Sequence, residues 1–154
     1  MVRCMVDDFI SRKVIENTMK EVVENMKEIV EKLKGYEETM AKEKGPFDLF
    51  GVFLRDDAPD KWDILVASDW IENNKEESFK YIVDMVQKGL SKEELMKLSR
   101  IVIINEKNPD LEELKRAIQR AMHVEHGIAE IKDSIFFGLP IRHAYLITSR
   151  RRRG

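Results

Sequence analysis

Phe47-Asp-Leu-Phe-Gly-Val-Phe-Leu-Arg-Asp-Asp-Ala-Pro-Asp-Lys-Trp-Asp-Ile-Leu-Val-Ala67 reads as two strands and a turn. Phe47 to Leu54 and Trp62 to Ala67 are dense in aromatic and branched side chains, the composition of a pleated, buried surface. Between them Arg55 to Lys61 is polar and carries Pro59, so the chain turns there. An antiparallel pair is the simplest outcome, and the rest of the chain is organised around it.

Upstream the hydrophobic period changes from two to three and a half. Ile15, Met19, Val22, Met26, Ile29, Leu33, Tyr36 and Met40 fall alternately four and three residues apart, an unbroken heptad stripe. The positions between them are mostly Glu, Lys, Asn or Thr, which predicts one helix over about residues 11–43, capped by Ser11 or by Asp7 or Asp8 and stopped by Gly45-Pro46. Gly35 interrupts it at a cost of about 1 kcal/mol against Ala and marks the place where it would bend or end early. A helix of that length spans about 50 Å, whereas a globule of this size is roughly 40 Å across. The stripe is therefore expected to overhang the body and to bind a second copy, with Ile15, Met19, Val22, Met26, Ile29 and Leu33 as the self-association surface.

Downstream, Asn73 or Asn74 opens a helix carrying Phe79, Ile82, Val83, Val86 and Leu90, and Ser91-Lys-Glu-Glu94 spells a capping box for a shorter one. Ile101 to Ile104 is wholly apolar, the pattern of a strand covered on both faces. Asn108-Pro109 starts another helix, and Ile128–Phe137 and Ile141–Thr148 read as a final strand pair turning at Gly138-Leu-Pro140. The fold class is α/β of the α+β kind. A long N-terminal helix precedes a mixed sheet of four to five strands with helices packed on it, in the order α-β-β-α-α-β-α-β-β. Residues 1–149 make one domain and residues 150–154 a flexible basic tail.

The 154 residues carry 18 Glu and 16 Lys against 2 Gln, the ion-pair-rich surface of proteins from hot environments. Cys4 is the single cysteine, so no intrachain disulfide forms. No apolar run is long enough to span a membrane, and Asp7 and Asp8 stand where a secretory signal needs apolar residues, so a cytoplasmic protein is expected. Arg150, Arg151, Arg152 and Arg153 close the chain; setting them aside leaves 23 basic against 29 acidic residues, a body of net charge −6. Such a tail can contact nucleic acid weakly through phosphates, or fold back on the acidic body.

Leu49-Phe50-Gly51 and, twelve residues beyond the glycine, Asp63-Ile64-Leu65-Val66 resemble the signature hairpin of small nucleotidyltransferases. The resemblance implies a glycine turn at Gly51 holding a triphosphate, Arg55 in the connector, and Asp63 binding Mg²⁺ with a second aspartate. Val52 stands in place of the family's serine, and Leu65 in place of that second aspartate. Two histidines, His123 and His126, with Glu125 between them, are spaced to meet at a helix end as metal ligands, or to rest there against the helix dipole. His143 lies on the apolar side of a strand and reads as a hydrogen-bonded core histidine. The aromatics Phe47, Phe50, Phe53, Trp62 and Trp70 read as core. The chain is thus expected to be a non-enzymatic binding or interaction module and a homo-oligomer. No cofactor is expected outside the Mg²⁺ of the nucleotidyltransferase alternative.

Overall fold

A computed structural model describes residues 26–120 and 123–147. Ser11, Ile15, Met19, Val22, Cys4 and the four closing arginines lie outside them. The first helix, α1, is described over residues 26–44 and passes Gly35 without interruption. Gly35 sits on the exposed side, so its propensity cost is borne by a helix whose other face buries Met26, Ile29, Val30, Leu33 and Met40. Gly45, with φ of 128°, then turns the chain out of the helix, its N–H bonding Ala41 O at 2.9 Å.

The hairpin forms as its composition dictates. Strands β1 (Leu49–Arg55) and β2 (Trp62–Ala67) run antiparallel with Phe50 opposite Val66 and Val52 opposite Ile64. Helices α2 (Asp69–Asn73), α3 (Lys75–Gly89) and α4 (Lys92–Leu95) cross to β3 (Leu98–Ile103), which lies parallel to β2. The caps follow the sequence closely. Ser91 and Glu94 complete the capping box of α4, and Asn108 accepts from the Asp110 N–H at the start of α5 (Pro109–Gln119). The short α2, capped by Ser68, precedes the helix expected from Asn73 or Asn74. Strands β4 (His123–Glu125), β5 (Ile128–Phe136) and β6 (Leu139–Ile147) complete a mixed sheet in the order β3-β2-β1-β6-β5-β4. Five of these strands have six or more residues; the sixth, β4, is a three-residue addition at the edge.

Placing β6 beside β1 puts the first hairpin in the middle of the sheet, where both faces need cover. One face (Phe50, Val52, Leu54, Trp62, Ile64, Val66, Tyr145, Ile147) packs on α1 and α3. The other (Leu49, Phe53, Leu65, Ala67, Ala144, Leu146) packs on Leu111, Leu114 and Ile118 of α5. This is why the hairpin reads as nearly continuous apolar sequence. A register shift between Leu54 and Arg55 sends Ile141 to the α5 face, away from His143, Tyr145 and Ile147 with which simple alternation groups it.

Three expectations change. Ile101 to Ile104 is an apolar run, but among the described residues β3 ends the sheet, and these residues are half-buried rather than covered on both faces. His123 to Glu125 forms β4 against β5 instead of a helix end. The described part of the heptad stripe is spent within the chain: Met26, Ile29 and Leu33 are at most 1% exposed, packed in the core beneath α1. Those three residues offer no surface to a second copy.

Candidate functional site

Gly51 lies mid-strand in β1, not at a strand end, and a Cβ built on it would stand 2.7 Å from Leu146 Cδ2. Its role is to admit that side chain over the sheet; a phosphate has no approach to its backbone. Asp63 is 4% exposed, with Oδ2 3.3 Å from Arg100 Nε and 3.6 Å from Arg55 Nε. Two guanidiniums thus share the one carboxylate that the nucleotidyltransferase resemblance assigns to magnesium. Arg55 does meet Asp63, but as its counter-ion. In this structure Gly51, Arg55 and Asp63 form a packing and ion-pair feature of the sheet.

His126 stands in the turn after β4 with φ of 54°, its side chain 72% exposed and Nδ1 3.9 Å from Glu31. Because His123 belongs to an extended strand, the helical spacing that would gather the pair on one face is absent. His143 is the histidine the fold uses. It sits 4% exposed on β6, with Nε2 2.6 Å from Glu130 Oε2 across the β5–β6 ladder. The ring N–H is not aligned along that approach, so Nε2 has no directed hydrogen bond. Burial lowers the His143 pKa against the pull of Glu130, with Lys132 and Lys27 adding to the lowering, and the imidazole stays neutral at pH 7.

Around this pair lies a cavity of about 330 Å³ between α1 and the β5–β6 ribbon. Its deep wall consists of Glu130, Tyr145, Ile128 and Val30; Lys27, Glu31 and His126 stand at the exposed rim. Glu130 and Tyr145 are direct cross-strand neighbours. The Tyr145 ring is held between Trp62, stacked at 5.8 Å, and His143 at 4.9 Å. Its hydroxyl is buried beside Glu130 but not aligned for a directed hydrogen bond, and burial, reinforced by the charge and the hydrogen-bonding pull of Glu130, raises its pKa so that the proton stays on. The site therefore presents a neutral phenol and a carboxylate in depth, apolar walls at the side, and charges of both signs at its mouth. A volume of this order suits a small ligand.

No family model matches this chain, and no curated protein or solved structure matches it either.

One other group of ligand-type atoms gathers among the described residues. Asp48 before β1, Asp69 at the start of α2 and Glu106 after β3 bring carboxylate oxygens within 4.8 Å of one another at the carboxyl ends of the parallel strands. Sharing a hydrogen bond with Asp69, with burial and Asp48 adding to it, pushes Glu106 up to about 7. Hard oxygen donors of this kind suit Mg²⁺ or Ca²⁺.

The sequence reading missed Lys27, Glu130 and Tyr145. A signal for the last two does exist: His143 and Tyr145 alternate on a strand face otherwise apolar, and a buried polar residue at such a place needs a partner from the next strand. Lys27 carries no such mark, being one of many lysines on a solvated helix face.

Proposed function

We propose that this protein is a binding module that takes a small polar molecule into the cavity between α1 and the β5–β6 ribbon. The observation that carries the reading is Tyr145, a buried residue whose hydroxyl has no directed hydrogen bond, on the wall of a cavity roomy enough for a ligand. A buried polar group left unpartnered costs free energy that a bound hydrogen-bonding group recovers. Glu130 beside it favours a ligand head that is cationic or rich in donors, and Val30 and Ile128 favour a short apolar body. Pairing of Asp63 with two arginines and the cover over Gly51 support binding over nucleotidyl transfer.

The test uses isobutylamine, isobutanol and isobutyrate, three probes sharing one carbon skeleton, titrated into ¹⁵N-labelled protein. The amine is expected to shift the amides of Glu130 and Tyr145 with the highest affinity and the carboxylate with the lowest. Tyr145→Phe is expected to weaken the amine about tenfold, the loss of one hydrogen bond of about 1.4 kcal/mol. Absence of any shift at these amides with all three probes would overturn the proposal.

A further inference from the structure

The second feature with a recognition chemistry of its own is the β3 edge of the sheet. Among the described residues β3 pairs only with β2. Ile104 N–H bonds Val66 O on that inner side, and a residue's N–H and C=O point the same way in a strand. Alternation therefore turns the N–H and C=O of Ile101 and Ile103 outward. Edges are commonly blunted by Pro, by Lys or by brevity. β3 has six residues, Leu-Ser-Arg-Ile-Val-Ile, with neither proline nor lysine, and its single charge, Arg100, turns to Asp63.

Beside this edge runs a largely apolar groove of about 280 Å³ between α3 and β3, walled by Phe79, Val83, Leu95, Leu98 and Ile101, with Gln87, Ser99 and Arg100 also bordering it. Phe79 is 39% exposed on its far wall. Arg100, one residue before Ile101, points to the opposite face, half-exposed and sharing the Asp63 carboxylate with Arg55.

We infer that β3 and this groove take an extended peptide as an added strand, with branched apolar residues at alternate positions and an acidic residue between them. Successive side chains of an added strand fall on opposite faces of the sheet. Those on the α3 side drop into the groove, and the one between them lies beside Arg100. Main-chain bonds to Ile101 and Ile103 supply affinity, and the two faces supply selectivity. Charge favours such a peptide over a second copy of β3, which would bring another Arg100 to the edge and no acid to answer it.

The probes are two blocked, fluorescein-labelled peptides, Thr-Val-Glu-Ile-Thr and Thr-Val-Lys-Ile-Thr, added to the full chain. The glutamate peptide is expected to slow hydrogen exchange at the Ile101 and Ile103 amides and to bind at least tenfold more tightly than the lysine peptide. Arg100→Gln should erase that preference. Phe79→Ala should weaken both peptides while leaving their ratio unchanged, a result that separates groove from charge. Any of three results would overturn the inference: unchanged exchange at both amides under saturating peptide; equal affinity of the two peptides for the unaltered protein; or both amides already protected in a species of twice the monomer mass, which would give the edge to a second copy.

Discussion

Removing the Tyr145 hydroxyl should stabilise the ligand-free protein and weaken its binding. The ring packs between Trp62 and His143, and those contacts survive in Tyr145→Phe. Only the oxygen is lost, and it is buried with no directed hydrogen bond. Leaving such a group in place costs about 1–3 kcal/mol; the Glu130 charge beside it offsets part of this, so a gain of about 1 kcal/mol is expected. For a domain of this length that corresponds to a rise in Tm of about 2–4 °C. Urea titration and calorimetry of both proteins, without ligand and with saturating isobutylamine, measure the two effects together. The unaltered protein should gain more from the amine than the variant does, because a ligand stabilises only the state it binds. A variant less stable than its parent by about 1 kcal/mol or more would refute the reasoning, since the hydroxyl would then be making a favourable internal hydrogen bond.

The shared proton at Asp48, Asp69 and Glu106 gives a pH signature. With its folded-state pKa up to about 7, Glu106 keeps a proton that the unfolded chain has already released, so stability should fall as pH rises from the ordinary carboxylate range to about 7. Urea midpoints across that window should show the slope, and Glu106→Gln should flatten it; an equal slope in the variant would assign it to other groups. Gly51→Ala should destabilise by about 1–3 kcal/mol, because the added methyl meets Leu146 Cδ2 at 2.7 Å and Tyr145 O at 3.1 Å; an unchanged urea midpoint would show that Leu146 moves aside freely. Leu33→Ala, at a position 0% exposed, should cost about 2–5 kcal/mol at constant sedimentation mass. Loss of mass with little loss of stability would return this residue to a subunit interface.

Much of the fold was legible because it rests on short-range rules. The Ser91–Glu94 box and the Asn108-Pro109 start depend on side chains reaching backbone groups two or three residues away, and both formed where the spelling put them. The aromatic hairpin likewise announced a buried strand pair, and Phe47, Phe50, Phe53 and Trp62 are core. Gly35 shows the limit of local reasoning. Its propensity cost was real, but the apolar stripe on the opposite face of α1 outweighs it.

The failures share one cause, the need to know what lies alongside. An apolar run such as Ile101 to Ile104 reads identically at the centre and at the edge of a sheet, and only the strand order put β3 at the edge. Gly51 and Asp63 have a suggestive spacing, yet the insertion of β6 beside β1 laid Leu146 over the glycine, and the parallel alignment of β3 gave Asp63 its second arginine. The candidate ligand site was out of reach for the same reason, since Lys27 and Glu130 are more than a hundred residues apart and meet only when α1 crosses β5.

Periodicity, caps and turn residues thus settled which elements this chain makes, because they act through neighbours a few positions away. Strand order and helix placement settled which side chains face a cavity, a counter-ion or open solvent, because burial and charge pairing depend on distance in space rather than along the chain.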